Sequence, residues 1–122
     1  MEQKNVLIVW DDYYHPEANY REAVRKSFEE NEMWNVTKTH RVRDLLETEE
    51  RVDLCIHFTV GLPEGESGLT IEEQEQMKTM VEEGMGMMFI HAGMACIQDG
   101  TPLFELARGR FASHPEPHYD VY

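Results

Sequence analysis

Short apolar runs alternate along the chain with longer stretches in which apolar and charged residues are mixed. Three dense runs predict strands that are buried on both faces: residues 4–10 (KNVLIVW), 52–58 (VDLCIHF) and 85–91 (MGMMFIH). Residues 34–40 (WNVTKTH) have strand composition, but polar side chains occupy alternate positions. This alternation predicts an edge strand with one face in water.

The first long stretch, residues 17–32, predicts an amphipathic helix. Pro16 suits its first turn, and its apolar residues are spaced to form one helix face, namely Ala18, Ala23, Val24 and Phe28. Residues 43–48 predict at most a short helix. A turn-rich loop follows the third strand at residues 61–69 (GLPEGESGL).

A second amphipathic helix is predicted from Thr70 to about Glu83. Thr70 with Glu73 three residues later matches a capping box, and Gly84 matches a glycine that ends a helix. The apolar positions of this helix are Ile71, Met77, Met80 and Val81. A further short helical segment is predicted at residues 101–107.

The alternation of strands with helices predicts an α/β fold with a mostly parallel sheet, in one domain that covers residues 1–122. Right-handed crossovers would place the carboxyl ends of all strands at one rim, where open α/β sheets bind their ligands. Residues after the predicted strands are therefore candidate site residues. They are Asp11, Asp12, His15, His57, Phe58, His91 and Gly93.

Four of the six histidines lie at or beyond strand ends, and His91 has the strongest chemical context. It stands in FIHAGM, where small residues allow the sharp strand-to-helix turn of a nucleophile elbow. An imidazole at a sheet rim is well placed for proton transfer. The alternative is a structural histidine bonded to a backbone carbonyl.

The other histidines have open interpretations. His114 follows a Gly-containing turn and precedes two prolines, and His15 follows two carboxylates that could orient its ring. Both are candidate acid or base residues or ordinary loop residues. His57 stands at the end of an apolar strand, which favours a buried histidine with a hydrogen-bond partner.

Metal binding is a weaker hypothesis. Three histidines, or two with an aspartate, would suit zinc, and His57 and His91 are possible ligands, but no short ligand pair such as HxH occurs. Asp11 and Asp12 could instead hold sugar hydroxyls or Mg²⁺. Glycine-rich phosphate motifs are missing, which disfavours nucleotides. Cys55 in its apolar run is predicted to be a small buried residue.

Composition limits the classes of molecule that this protein is expected to bind. The chain has 122 residues, and its 11 basic against 24 acidic residues give a net charge of -13. Such a charge repels nucleic acid and anionic membranes. No run approaches the ~20 apolar residues of a membrane span, and the amino terminus lacks the pattern of a signal peptide. We therefore expect a cytoplasmic protein, and the charge leaves three classes of ligand open: a neutral small molecule, a cation or a protein partner.

Three blocks of sequence resemble the trehalose-utilisation (ThuA-like) family: VLIVWDDYYHPE, VEEGMGMMFIHAGM and ARGRFASHP. The resemblance covers nearly the whole chain. It implies a flavodoxin-like fold, similar to the class I glutamine amidotransferases, with a three-layer sandwich. It also implies catabolism of disaccharides or oxidised (3-keto) glycosides. By position it marks His15, His91 and His114 as site residues, with Asp11 and Asp12 beside them. Tyr14 and Gly93 are further candidates for substrate binding.

The chain also departs from its relatives. In the amidotransferases the elbow carries a nucleophilic cysteine, where this chain has His91, and Cys96 lies five residues later. Glutaminase chemistry through a thioester is therefore not expected. Family members continue further, so residues 119–122 (YDVY) are interpreted as the start of a further strand. A sheet that is incomplete after its fourth to fifth strand would have an open edge, which predicts a homo-oligomer or a partner chain.

Three hypotheses follow. The first is a carbohydrate-active enzyme in which His91 is the general base and His114 or His15 the acid. The second is a non-catalytic sugar-binding or interaction subunit in which Trp10, Tyr13 and Tyr14 stack on a sugar. The third is a metal-dependent hydrolase.

Overall fold

Four parallel strands form the centre of the computed structural model, which describes residues 2–11, 15–59, 69–95 and 97–110. The strands are β1 (Lys4–Val9), β2 (Trp34–Thr39), β3 (Leu54–His57) and β4 (Gly86–Phe89). Their order in the sheet is β2-β1-β3-β4. This is the start of the doubly wound, flavodoxin-like order, so the predicted α/β class is confirmed.

The strand register brings three strand ends together. Val9 of β1 lies opposite Thr39 of β2 on one side and His57 of β3 on the other, and His57 lies opposite Phe89 of β4. The strand order reverses between β1 and β3, which is where ligands bind in such folds. We call the carboxyl ends of β1, β3 and β4, with the residues that follow them, the switch-point rim.

Within the described ranges, four α-helices flank the sheet: α1 (Arg21–Val24), α2 (Asp44–Glu47), α3 (Ile71–Glu82) and α4 (Pro102–Ala107). Helix α1 lies between the 3-10 turn Glu17–Asn19 and the π-helical turn Arg25–Glu29. A 3-10 helix, His91–Met94, follows β4. No helix in the described part of the chain is long and apolar enough to cross a bilayer.

Alternate residues of the strands enter two separate hydrophobic clusters. One cluster includes Leu7, Val9 and Cys55 and packs against residues of α2, α3 and α4. The other includes Ile8 and Ile56 and packs against the α1 segment. Because both faces of β1 and β3 are covered, the sheet is the middle of three layers.

Helix α3 begins and ends as predicted. The side chain of Thr70 accepts a hydrogen bond from the Glu73 amide at 3.0 Å, and the Glu73 carboxylate accepts one from the Thr70 amide at 3.0 Å. Gly84 follows the helix at φ +117°. The predicted apolar position Ile71 was wrong, since this side chain is 55% exposed. It lies in the first turn, beyond the part of the helix that packs on the sheet.

The single helix predicted at residues 17–32 was also wrong. The segment is divided into a 3-10 turn, one α-helical turn and a π-helical turn, and Ala18 and Ala23 are exposed. Larger rings anchor it instead. Tyr20 packs on Phe58 with 4.6 Å between ring centroids, and Phe28 packs edge-on against Trp34. These aromatic contacts bury more apolar area than alanines could.

Strand β4 is shorter and more exposed than predicted. It covers Gly86–Phe89, and His91 already belongs to the following 3-10 helix. Met87 and Phe89 pack on the cluster beneath α3 and α4, but Met88 on the other face is 46% exposed. Within the described residues β4 is an edge strand, as is β2, whose predicted edge position is confirmed.

Candidate functional site

The chain makes a sharp turn directly after β4. Ile90 is extended, with φ -116° and ψ 124°, and His91 then adopts φ +50° at the start of a 3-10 helix. A positive φ is uncommon for a residue with a Cβ atom. Backbone strain of this kind concentrates at functional sites, where the surrounding structure must stabilise it. The His91 side chain is exposed at the switch-point rim.

Gly93 explains why this turn needs a residue without a side chain. A Cβ atom built on Gly93 would lie 2.1 Å from the backbone oxygen of His57, far inside van der Waals contact. The Gly93 amide donates to the Ile90 carbonyl at 2.9 Å, which closes the turn. The small residues of the His-Ala-Gly sequence therefore let the turn lie directly on the end of β3.

A second imidazole lies beside the first. The rings of His15 and His91 meet edge to face, with 5.0 Å between centroids and 76° between planes. His15 is half-buried and His91 is exposed. Residues 76 positions apart in sequence thus place two groups that can donate or accept a proton at one point of the rim.

Asp11 stabilises the segment that follows β1. Its backbone has φ +71°, and its Oδ1 atom accepts a hydrogen bond from the Glu17 amide at 2.9 Å. The carboxylate therefore caps the 3-10 turn that comes after His15. One of its oxygens is occupied in this way.

His57 lies beneath the turn and is 1% exposed. Its Nε2 atom shares a hydrogen bond with Oγ1 of Thr59 at 3.1 Å, and its ring meets Phe89 edge-on with 6.1 Å between centroids. The expectation of a buried, hydrogen-bonded histidine is confirmed. Thr59 was missed in the sequence, although its position two residues after His57 placed it on the same side of an extended chain.

The structure places six predicted site residues on the switch-point rim: Asp11, His15, His57, Phe58, His91 and Gly93. The other predicted site residues, Asp12, Tyr14 and His114, lie outside the described residues. The idea that Trp10 stacks on a sugar was wrong. Its ring is 5% exposed, because it packs into the cluster on the α1 side, and Lys38 Nζ lies 5.3 Å from its centroid.

Burial and spacing bear on two further expectations, that Cys55 is a small buried residue and that histidines could bind a metal. Cys55 is buried in the core, and burial raises the pKa of its thiol to about 12, so it is not a ready nucleophile. In the part of the chain that the structure describes, no group of three or more His, Cys, Asp and Glu side chains could hold a metal ion.

The fold and the rim together define a flavodoxin-like α/β protein with paired imidazoles at its switch point. The chain belongs to the ThuA family, because the sequence model of that family, described as trehalose utilisation, matches residues 5–122. This family links the chain to carbohydrate metabolism. Comparison with curated proteins and with solved structures gives no match.

Proposed function

We propose that this protein is an enzyme of carbohydrate catabolism that acts on a disaccharide or an oxidised (3-keto) glycoside, with His91 as general base. One observation carries the proposal: an exposed imidazole, held at φ +50° on the rim, has a second imidazole 5.0 Å away. Glycine or asparagine would adopt that backbone more easily, so the backbone alone does not account for a histidine at this position.

The chemistry of a 3-keto glycoside suits such a pair. The carbon next to the carbonyl carries an acidic hydrogen, and its other neighbour is the anomeric carbon that bears the glycosidic oxygen. His91 would take this proton, and the C–H electron pair would form an enolate with the carbonyl. Collapse of the enolate would expel the glycosidic oxygen, which His15 would protonate. His114 is the alternative acid from the sequence.

The test is turnover of a 3-keto disaccharide by the purified chain, with each variant first checked for folding. His91→Ala should lower kcat roughly 10²- to 10⁴-fold, as removal of a general base does. His40→Ala is the matched control, because His40 is exposed and follows the edge strand β2 rather than the switch-point rim. Proton abstraction also predicts uptake of solvent deuterium next to the carbonyl, which should disappear with His91→Ala.

The same experiment separates the alternatives. A sugar-binding subunit would show no turnover in the parent chain and unchanged affinity in His91→Ala. A metal-dependent hydrolase would lose its rate after chelation, whereas acid–base chemistry by histidines would not. A rate that stays flat between about pH 5 and 8 would contradict the role of His91, because histidines change charge in that interval.

A further inference from the structure

The backbone carbonyl of His57 supports the turn from two sides. Its oxygen accepts a hydrogen bond from the Ile90 amide at 3.0 Å, directly before His91. The same oxygen lies against Gly93, two residues after His91, where a Cβ atom would come within 2.1 Å. The strained residue is therefore held between two contacts with one peptide group, and any movement of His57 would be passed to it.

The side chain of His57 is held in turn by Thr59 and Phe89. Nε2 bonds to Thr59 at 3.1 Å, and the ring meets Phe89 edge-on with 6.1 Å between centroids. Phe89 is the last residue of β4 and stands two positions before His91. The buried ring thus contacts the end of β4 before the turn and is bonded to Thr59, which follows β3.

A hydrocarbon would fill this position without the cost of burying polar atoms. A polar ring buried to 1% exposure needs a hydrogen bond to offset the loss of water, and the bond between Nε2 and Thr59 restricts the ring to one orientation. The directional contact with Thr59 therefore fixes the end of β3 in a way that leucine could not.

We propose that His57, oriented by Thr59, is a positioning residue that holds the backbone of His91 in its left-handed conformation. Through that backbone it aims the exposed imidazole of His91 away from the sheet. The claim about conformation is independent of the activity proposed above; only its consequence for turnover rests on that proposed function.

The test is NMR spectroscopy of the whole chain without substrate, following the backbone amide and ring signals of His91. Thr59→Val keeps the shape of the side chain and removes the hydrogen bond, and His57→Leu removes the polar ring. Both should shift the His91 signals and speed hydrogen exchange at the Ile90 and Gly93 amides. His57→Gln should restore most of the parent signals, because its amide nitrogen reaches the position of Nε2.

Cys55→Ala is the matched control, since Cys55 is equally buried, lies two residues earlier on β3 and belongs to the core beneath α3. It should lower stability and leave the His91 signals in place. Unchanged His91 signals in folded Thr59→Val would overturn the proposal, as would equal shifts in Cys55→Ala. Should His57→Leu fail to fold, Thr59→Val and His57→Gln decide the question.

A kinetic readout connects the inference to turnover. If Thr59→Val displaces the His91 imidazole, its kcat should fall roughly 10- to 100-fold while KM changes little. A misplaced general base mainly weakens stabilisation of the transition state. If His91→Ala proves fully active, the proposed function fails, while the NMR result still decides whether His57 positions His91. The two proposals can therefore fail separately.

Discussion

The turn that follows α3 and the switch-point rim differ in how well their residues suit the backbone conformation. The turn that follows α3 at the amino ends of the strands has a glycine at positive φ, Gly84 at φ +117°. At the carboxyl ends, Asp11 and His91 adopt φ +71° and +50° although both carry side chains. The turn after α3 thus satisfies local backbone preference, whereas two residues of the switch-point rim do not.

The burial of polar side chains also differs between the two ends of the sheet. At the amino end, the Asn5 amide donates to Asp53 Oδ2 at 2.8 Å, and this bond is the main cause that lowers the pKa of the Asp53 carboxyl. That carboxylate is only partly buried. At the carboxyl end, His57 and Thr59 are each 1% exposed. Burying polar groups and straining backbone both oppose stability, so their concentration at one end points to function there.

The largest effect should come from Gly93→Ala. The new methyl group would meet the backbone oxygen of His57 at 2.1 Å, and a strand carbonyl cannot move aside as a flexible side chain can. We expect a loss of about 3 kcal/mol in the free energy of unfolding, the upper part of the range for overpacking. Urea denaturation measures it, and a folded variant should also show altered His91 NMR signals.

Gly84→Ala is the comparison at the opposite end. A Cβ atom there would lie 3.8 Å from Arg51 Nη2, so the space is open and only the positive φ opposes the substitution. A loss of about 1 kcal/mol is expected, with His91 signals unchanged. Equal losses at Gly84 and Gly93 would show that the close approach at the carboxyl end has no special cost.

For His91→Gly we expect a change in stability of similar size to that of Gly84→Ala but of opposite sign. Glycine adopts positive φ without strain, so the variant should gain about 1 kcal/mol in the free energy of unfolding while it loses turnover. Arg108→Gly is the control, because Arg108 ends α4 at φ +57° outside the switch-point rim. It should gain a similar amount and keep its activity. Destabilisation of His91→Gly would mean that the imidazole contributes more by packing than its backbone costs.

The sequence predicted what depends on local patterns. The sheet, the edge position of β2 and both ends of α3 follow from hydrophobic period, capping residues and glycine, each of which acts within a few residues. The segment after Pro16 was predicted wrongly, because its alanines fit a helical period while Tyr20 and Phe28 make the tertiary contacts that shape it. The exposure of Met88 depends on what covers β4, which periodicity does not report.

For the site, the rim itself could be predicted because parallel strands share one carboxyl end. The pairing of His15 with His91 could not, since it depends on where two loops from different strands converge. The small residues of FIHAGM predicted a sharp turn at His91, but not its φ of +50°, which depends on how the turn lies on the end of β3. Gly93 was selected as a small residue in a turn, and the structure adds the peptide group on which it lies.

The smallest predicted effect concerns helix α3. It tests whether the residues beside the turn at His91 are stabilised by ordinary interactions. The first turn of α3 lies at the same end of the sheet, yet Glu73 there is well paired: Arg43 Nε donates to its Oε2 at 2.6 Å. This bond and that from the Thr70 amide lower the pKa of Glu73 from 4.5 to about 2. A lowered pKa means that the stabilisation is present above pH 4.5 and disappears as the pH falls towards about 2. Glu73→Gln should therefore lose roughly 0.5–1 kcal/mol near neutral pH, and the difference from the parent should shrink through that window.

Urea denaturation at a series of pH values measures this, with Glu72→Gln, exposed in the same turn, as control. A difference that persists unchanged at low pH would assign the loss to packing rather than charge. A pH-dependent loss would show that an ion pair stabilises α3 beside the switch-point rim. The unfavourable backbone would then belong to the turn at His91 and not to the whole end of the sheet.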